Sequence, residues 1–349
     1  FTVVCDPWKP MREDAAQMVK DWYGTDAKQC SSYLDVMAMD DVDAVMIASP
    51  DFWHTRHLKA AADAKKDAYC EKPLSKDLPS LIAACDAVKA NGIVCQIGTQ
   101  LRSFPSFTGC RAYYQTGALG KVMRVEQHRN DPRPYWYSRL ADAKEEDVDW
   151  KEFLGDLPMR PYNADQFTGW YGYREFSDGA TPGFGTHFID LVNYITGSTF
   201  PLSCVSIGGI YVWDDEHKFT APDQAQVLWQ YPGFLVDYVT NFGNSAGRSF
   251  KIFGTQGTMD MLDWESPFVT PEGAIDEKKT PIKKEEPIAP VEHADHMLDW
   301  LQCLRTRQTP NASIDAGYQH AVAVIMAMAA FDTGKRMIYD QEKREIREG

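Results

Sequence analysis

Lys72, in the run Tyr69-Cys70-Glu71-Lys72-Pro73-Leu74-Ser75, is the side chain best placed for chemistry in this sequence. A lysine held at the end of a strand can pass a proton to or from a hydroxyl or carbonyl, and the proline after it restrains the backbone. Otherwise it is a solvated lysine at a strand end. His187 follows Gly183 and Gly185. It is expected to open a helix after a glycine-rich turn and to face a cleft, where an imidazole works near neutral pH. Otherwise it is a histidine hydrogen-bonded in the core. Asp190, three residues on, is expected to be structural. Arg129, Arg133, Tyr135, Trp136, Tyr137, Trp170, Tyr171, Tyr173 and Arg174 crowd the stretch before His187. Stacking faces beside guanidinium donors suit a carbohydrate or sugar acid, and equally suit an aromatic core. His54 and His57, and His293 and His296, are spaced to share a helix face. Neither pair has a third ligand in evidence, so no metal is expected.

These residues must be positioned by a chain of 349 residues, enough for two cores. Its formal net charge of −14 argues against a nucleic-acid partner. No uninterrupted run of 18 apolar residues and no leader pattern is visible, so neither a membrane span nor a signal peptide is expected. The eight cysteines include no C-x-x-C pair. Cys5, Cys95 and Cys204 lie in apolar runs and read as buried free thiols, which suits a reducing compartment such as the cytoplasm. A periplasmic or secreted location stays open if a leader has been removed.

Apolar runs at Phe1–Asp6, Asp43–Ala48, Ala68–Glu71 and Gly92–Ile97 alternate with helical stretches at Met11–Tyr23, His54–Ala64 and Leu78–Ala90. This is the pattern of βαβ units in a parallel sheet, whose ligands bind along the edge where the strands end. After about residue 120 strands dominate: Val122–His128, Leu202–Trp213, Gln224–Tyr231, Phe234–Phe242, Phe250–Phe253 and Thr258–Leu262. They predict a large, mainly antiparallel open sheet, interrupted by a helix at Gly185–Ile195 and closed by helices at Val291–Arg307 and Ala316–Thr333. The charged, proline-broken stretch Glu272–Glu286 reads as a surface loop. The predicted fold class is α/β: an incomplete Rossmann-like domain over residues 1–120, then an α+β sheet domain over 121–349.

Several pieces, in order, resemble the Gfo/Idh/MocA oxidoreductases. They are Asp6 ending a strand, Ala48-Ser49-Pro50-Asp51-Phe52-Trp53-His54, Glu71-Lys72-Pro73, Gly98-Thr99-Gln100 with Arg102, Gly120-Lys121-Val122, and Gly185-Thr186-His187-Phe188-Ile189-Asp190. Pro310-Asn311-Ala312 with Gly317 and His320 adds to the set. The resemblance implies hydride transfer between NAD or NADP and a carbon of a sugar or polyol, with Lys72 and His187 as catalytic residues. It implies cofactor contacts from Asp6, Ser49, Pro50, Trp53, His54, Glu71 and Gln100, with Asp6 on the ribose hydroxyls favouring NAD. Lys9 and Arg12 leave room for the 2′-phosphate of NADP. Arg102, Trp170, Tyr173 and Arg174 are the expected substrate contacts, and the sheet is the expected surface for homo-oligomers.

The sequence departs from the family pattern in two places. No G-x-G-x-x-G is present, and Asp6 already occupies the position that should follow such a turn. The expectation is that the sequence lacks its first strand and glycine turn; otherwise no dinucleotide binds in the usual way. The family's aspartate four residues before the histidine is Gly183 here, so His187 is expected to act alone or with another acid. Two other functions remain open at this point. One is an NAD-assisted glycosidase or lyase working through a 3-keto sugar, and the other is a cofactor-less sugar-binding or assembly protein.

Overall fold

A computed structural model describes residues 1–272 and 280–349. The first part alternates strand and helix as its apolar runs dictate. β1 (Val3–Cys5), α1 (Lys9–Tyr23), β2 (Lys28–Cys30) and α2 (Tyr33–Met37) are followed by β3 (Ala44–Ile47), α3 (His54–Asp63), β4 (Asp67–Cys70), α4 (Leu78–Asn91) and β5 (Cys95–Ile97). β1 pairs with β2 and β3 with β4 with β5, all parallel, in two separate ladders. Local signals set the helix ends. Asp77 caps α4 by accepting from Ser80 N–H at 2.8 Å, Pro79 sits in the first turn, and Gly92 closes the helix in the left-handed conformation.

α5 (Pro105–Gln115) leads to β6 (Val122–Asp131), and α6 (Trp150–Leu154), α7 (Ala164–Thr168) and α8 (Ala180–Thr196) follow. Next come β7 (Ser203–Gly209), β8 (Gln224–Tyr231), β9 (Phe234–Phe242), β10 (Ser249–Gly254), β11 (Gly257–Asp260), β12 (Phe268–Pro271) and β13 (Glu286–Pro287). α9 (His296–Thr306), α10 (Ile314–Thr333), β14 (Met337–Asp340) and β15 (Glu345–Glu348) complete the chain. The strands from β6 onward form one ten-stranded sheet, ordered β13-β12-β11-β10-β6-β9-β8-β7-β14-β15. β6 and β9 run parallel, and the other described pairings in this sheet are antiparallel. Period-two alternation gives the sheet two unlike faces. On β8, Ala225, Val227, Trp229 and Tyr231 are buried while Gln226, Leu228 and Gln230 face out.

α8 and α10 cover the inner face. α10 has the length and apolar character to cross a membrane, yet 67% of its apolar window is buried in the fold. It meets the first domain at Gly317, where a Cβ would lie 2.7 Å from Ile97. One continuous core runs from Val45, Leu58 and Ile97 through Phe188 and Ile189 to Trp229 and Tyr238. A second, aromatic core joins Trp136, Phe153, Phe167, Tyr171, Phe176 and Phe219.

The structure corrects several expectations. α8 starts at Ala180, not Gly185, so Gly183 lies inside the helix and His187 two turns along it. Its start is set by Gly179, whose φ of 73° and ψ of −145° suit only glycine. Cys5, at the end of β1, is exposed. β2 and the hairpin β14–β15 escaped notice because sequences such as Lys-Gln-Cys and Glu-Ile-Arg-Glu carry little apolar signal. Of the expected loop at Glu272–Glu286, residues 273–279 lie outside the described residues.

Candidate active site

The carboxyl ends of β3, β4 and β5 converge on the first turns of α8. Lys72 follows β4, is joined to Pro73 by a cis peptide bond, and donates from Nζ to the Gly183 carbonyl at 3.3 Å. In an α-helix that carbonyl is the acceptor for the backbone N–H of the residue four positions on, which is His187. Lys72 therefore reaches α8 one turn below His187, and the two expected catalytic side chains share one locus. Burial drives the His187 imidazole down to about 3, and the Lys72 charge adds to the shift. His187 is held neutral at physiological pH, and its Nδ1 is a buried atom without a hydrogen-bond partner.

Asp51, in the turn after β3, is 3% exposed and accepts from Ser177 Oγ at 2.6 Å. Burial raises its carboxyl to about 7, against the Ser177 hydrogen bond and the charges of Lys72 and Lys76. Ser177 Oγ also accepts from Gly179 N–H at 3.0 Å, so Asp51 is tied to the entry of α8. Lys76, which the sequence did not single out, donates to the Arg174 carbonyl and, at 3.1 Å, to that of Glu175. Its only sequence signal was its spacing of four from Lys72.

The expected cofactor residues divide into two groups. Ser49, Glu71 and Gln100 stand at the ends of β3, β4 and β5, with Pro50 directly after Ser49. Ser49 Oγ is buried without a partner, as is Thr99 Oγ1 beside Gln100. The Glu71 carboxylate lies over Gly98, 2.8 Å from where a Cβ would stand. Asp6 ends β1, accepts from Trp8 N–H at 2.8 Å, and is raised by burial. Trp53 and His54 are committed elsewhere. The Trp53 indole donates to the Phe153 carbonyl at 2.9 Å, and its ring packs on His57 and over Gly155. Both His54 ring nitrogens face carbonyls, of Pro73 at 2.8 Å and Ser49 at 2.7 Å, which ties the ends of β3 and β4 together.

Three of the four expected substrate contacts are likewise engaged within the fold. Arg102 is 7% exposed and grips Asp190 through Nε at 2.8 Å and Nη2 at 2.7 Å, with Nη1 on the Asn311 carbonyl at 2.7 Å. His320 Nδ1 meets the same carboxylate at 3.1 Å. Burial pushes Asp190 up, but Arg102 and His320 hold it down at about 2. Asp190 thus has the structural role expected of it. Tyr173 donates to the His217 carbonyl at 2.7 Å, and Arg174 pairs with Asp178 and Asp332. Trp170 stays half-buried, with Arg139 over its ring. The candidate metal pairs are also occupied: His57 stacks on Trp53, His293 bonds Ala294, and His296 bonds Ser103 and Ile97.

Comparison with known proteins decides the family. The model of the oxidoreductase family with NAD-binding Rossmann fold matches residues 2–99, and that of its C-terminal alpha/beta domain matches residues 156–338. The chain belongs to the Gfo/Idh/MocA oxidoreductase family. An inositol 2-dehydrogenase of Acidothermus cellulolyticus is 31% identical over 129 residues, 36% of this chain and 38% of that protein. The chain thus matches little more than a third of that relative's length. Two solved structures share the fold. An aldose-aldose oxidoreductase from Caulobacter crescentus, complexed with glycerol, has a TM-score of 0.72 at 16% identity, covering 97% of this chain and 91% of its own. A levoglucosan dehydrogenase in complex with NADH and levoglucosan also has a TM-score of 0.72 at 16% identity, covering 97% and 90%.

Proposed function

We propose that this Gfo/Idh/MocA protein is an NAD-dependent dehydrogenase of a sugar or polyol. The observation that carries the proposal is the meeting of Lys72 with the Gly183 carbonyl one turn from His187, at the ends of the parallel strands. The residues present fit a dinucleotide at two points. The partnerless buried hydroxyls of Ser49 and Thr99 and the Glu71 carboxylate suit the nicotinamide end, and Asp6 suits the ribose hydroxyls, favouring NAD over NADP. The sequence given supplies no glycine-rich turn for the diphosphate. Bound there, NAD supplies the hydride acceptor for an alcohol carbon. Lys72 exchanges the hydroxyl proton as that carbon becomes a carbonyl. Neutral His187 orients the hydroxyl, and Tyr171 and Tyr135, packed on each other beside Gly183, exclude water.

The outer face of the large sheet supports a homo-oligomer. Val205, Ile207, Leu228 and Leu235 are exposed there, side by side on β7, β8 and β9.

The test is NAD reduction by the purified protein with myo-inositol, D-glucose and levoglucosan as probes, beside a Lys72→Met variant. Turnover by the wild type, with kcat reduced about 10²- to 10⁴-fold in the variant while NAD binding persists, is the expected result. A wild type that reduces no NAD with any of the probes refutes the proposal.

A further inference from the structure

At Gly183 a side chain is sterically forbidden. A Cβ there would fall on the Tyr171 hydroxyl oxygen, 2.8 Å from its Cζ and 3.1 Å from the Tyr135 hydroxyl. The backbone of Gly183 is ordinary helix, so the glycine is required by this close approach and not by its φ. The same residue's carbonyl receives Lys72 Nζ. A phenol oxygen and the catalytic amine therefore meet on a single helical residue, one turn from His187. Tyr171 comes from the short 3-10 turn Trp170–Gly172, far from the strand ends in sequence. Its ring is clamped edge-on by Tyr135, at 4.9 Å between centroids, and lies near-parallel to Trp136.

We infer that Tyr171 is a further catalytic residue, its hydroxyl donating a hydrogen bond to the oxygen of the reacting carbon beside Lys72. This rests on the dehydrogenase function proposed above. The Tyr171 oxygen takes a side-chain hydrogen bond from Tyr135, which leaves its own proton to donate, and the oxygen demands a glycine opposite. Burial and the neighbouring Asp51 charge keep Tyr171 protonated at any physiological pH, so it acts as a neutral donor. In the oxidation the neutral form of the Lys72 amine would take the alcohol O–H proton, and the C–H electron pair would leave as the hydride that bound NAD would accept. Tyr171 keeps its proton and stabilises the charge that builds on oxygen between the two events.

The experiment measures kcat, KM, NAD affinity and Tm for wild type, Lys72→Met, Tyr171→Phe and Gly183→Ala, with whichever of myo-inositol, D-glucose and levoglucosan the wild type turns over. Tyr171→Phe is expected to lose about 10²-fold in kcat, as removal of one preorganised donor does, with NAD affinity unchanged. Gly183→Ala, whose methyl group displaces the hydroxyl without altering the phenol, is expected to show the same loss and keeps the test decisive if Tyr171→Phe folds poorly. A purely structural Tyr171 would lower Tm and leave kcat of the folded fraction intact. If Lys72→Met is inactive while Tyr171→Phe and Gly183→Ala keep kcat within about threefold of wild type, the role of Tyr171 is overturned and the dehydrogenase stands. If the wild type oxidises none of the probes, both fall.

Discussion

Asp51→Asn should make the protein more stable above neutral pH and change it little in acid. The carboxyl is buried and its side chain accepts from Ser177, and burial raises it from 3.8 to about 7. A carboxyl raised on folding binds its proton more tightly in the native state, so its contribution is fully present below pH 3.8 and is lost as pH climbs to about 7. Between pH 5 and pH 8 the loss is about 3 kcal/mol, at about 1.4 kcal/mol per pH unit. Asparagine keeps the size and the acceptor for Ser177 without the charge, so it escapes the loss. At an unfolding entropy of about 2.1 cal/mol/K per residue, that difference corresponds to about 4 °C in Tm. The assay is thermal unfolding of wild type and Asp51→Asn across pH 5 to 8. A gap between them that widens with pH by a few degrees is expected. A constant gap, or one that narrows with rising pH, refutes the claim that Asp51 titrates in the native state near neutrality.

Two further outcomes follow from the packing. Asp190→Ala leaves the Arg102 guanidinium buried without its carboxylate, and should cost about 3–5 kcal/mol in a denaturant titration, whereas an exposed pair such as Lys59–Asp63 should cost under about 1. Ile207→Glu places a charge on the exposed apolar patch of the sheet, where Ile207 is 72% exposed, and should shift the mass seen by light scattering towards the monomer without lowering Tm.

The strong periodic signals were legible in the sequence. The runs at Ala44–Ile47 and Asp67–Cys70 became parallel strands, and the alternating stretch Gln224–Tyr231 became an antiparallel one. Lys72 and His187 are brought together as motif order implied. What stayed hidden was which polar side chains the fold itself consumes. Arg102 looks free in sequence because Asp190 and Asn311 lie far along the chain, and only the packing of α8 against the turn after β5 joins them. Trp53 likewise finds its partner in Phe153, on a helix of five residues that carries too little periodicity to be foreseen. Gly183 is read in sequence as a lost side chain, and only the structure shows the Tyr171 oxygen in its place.

That replacement bears on how the site is held. The roles proposed for Lys72 and His187 require the junction between them to be fixed to a fraction of an ångström. The junction here is tied on both sides of Lys72. Upstream, Phe52 N–H donates to the Phe176 carbonyl at 3.1 Å and Asp51 receives Ser177 at 2.6 Å. Downstream, Lys76 crosses to the carbonyls of Arg174 and Glu175. All four contacts grip the stretch from Arg174 to Ser177, which feeds directly into α8. The same stretch follows Tyr171 by a few residues, so the clamp that sets Lys72 against Gly183 also sets the phenol there. Preorganisation of the amine, the imidazole and the phenol is therefore a single structural problem, addressed by one loop whose Phe176 and Ser177 are buried, and not by three independent supports.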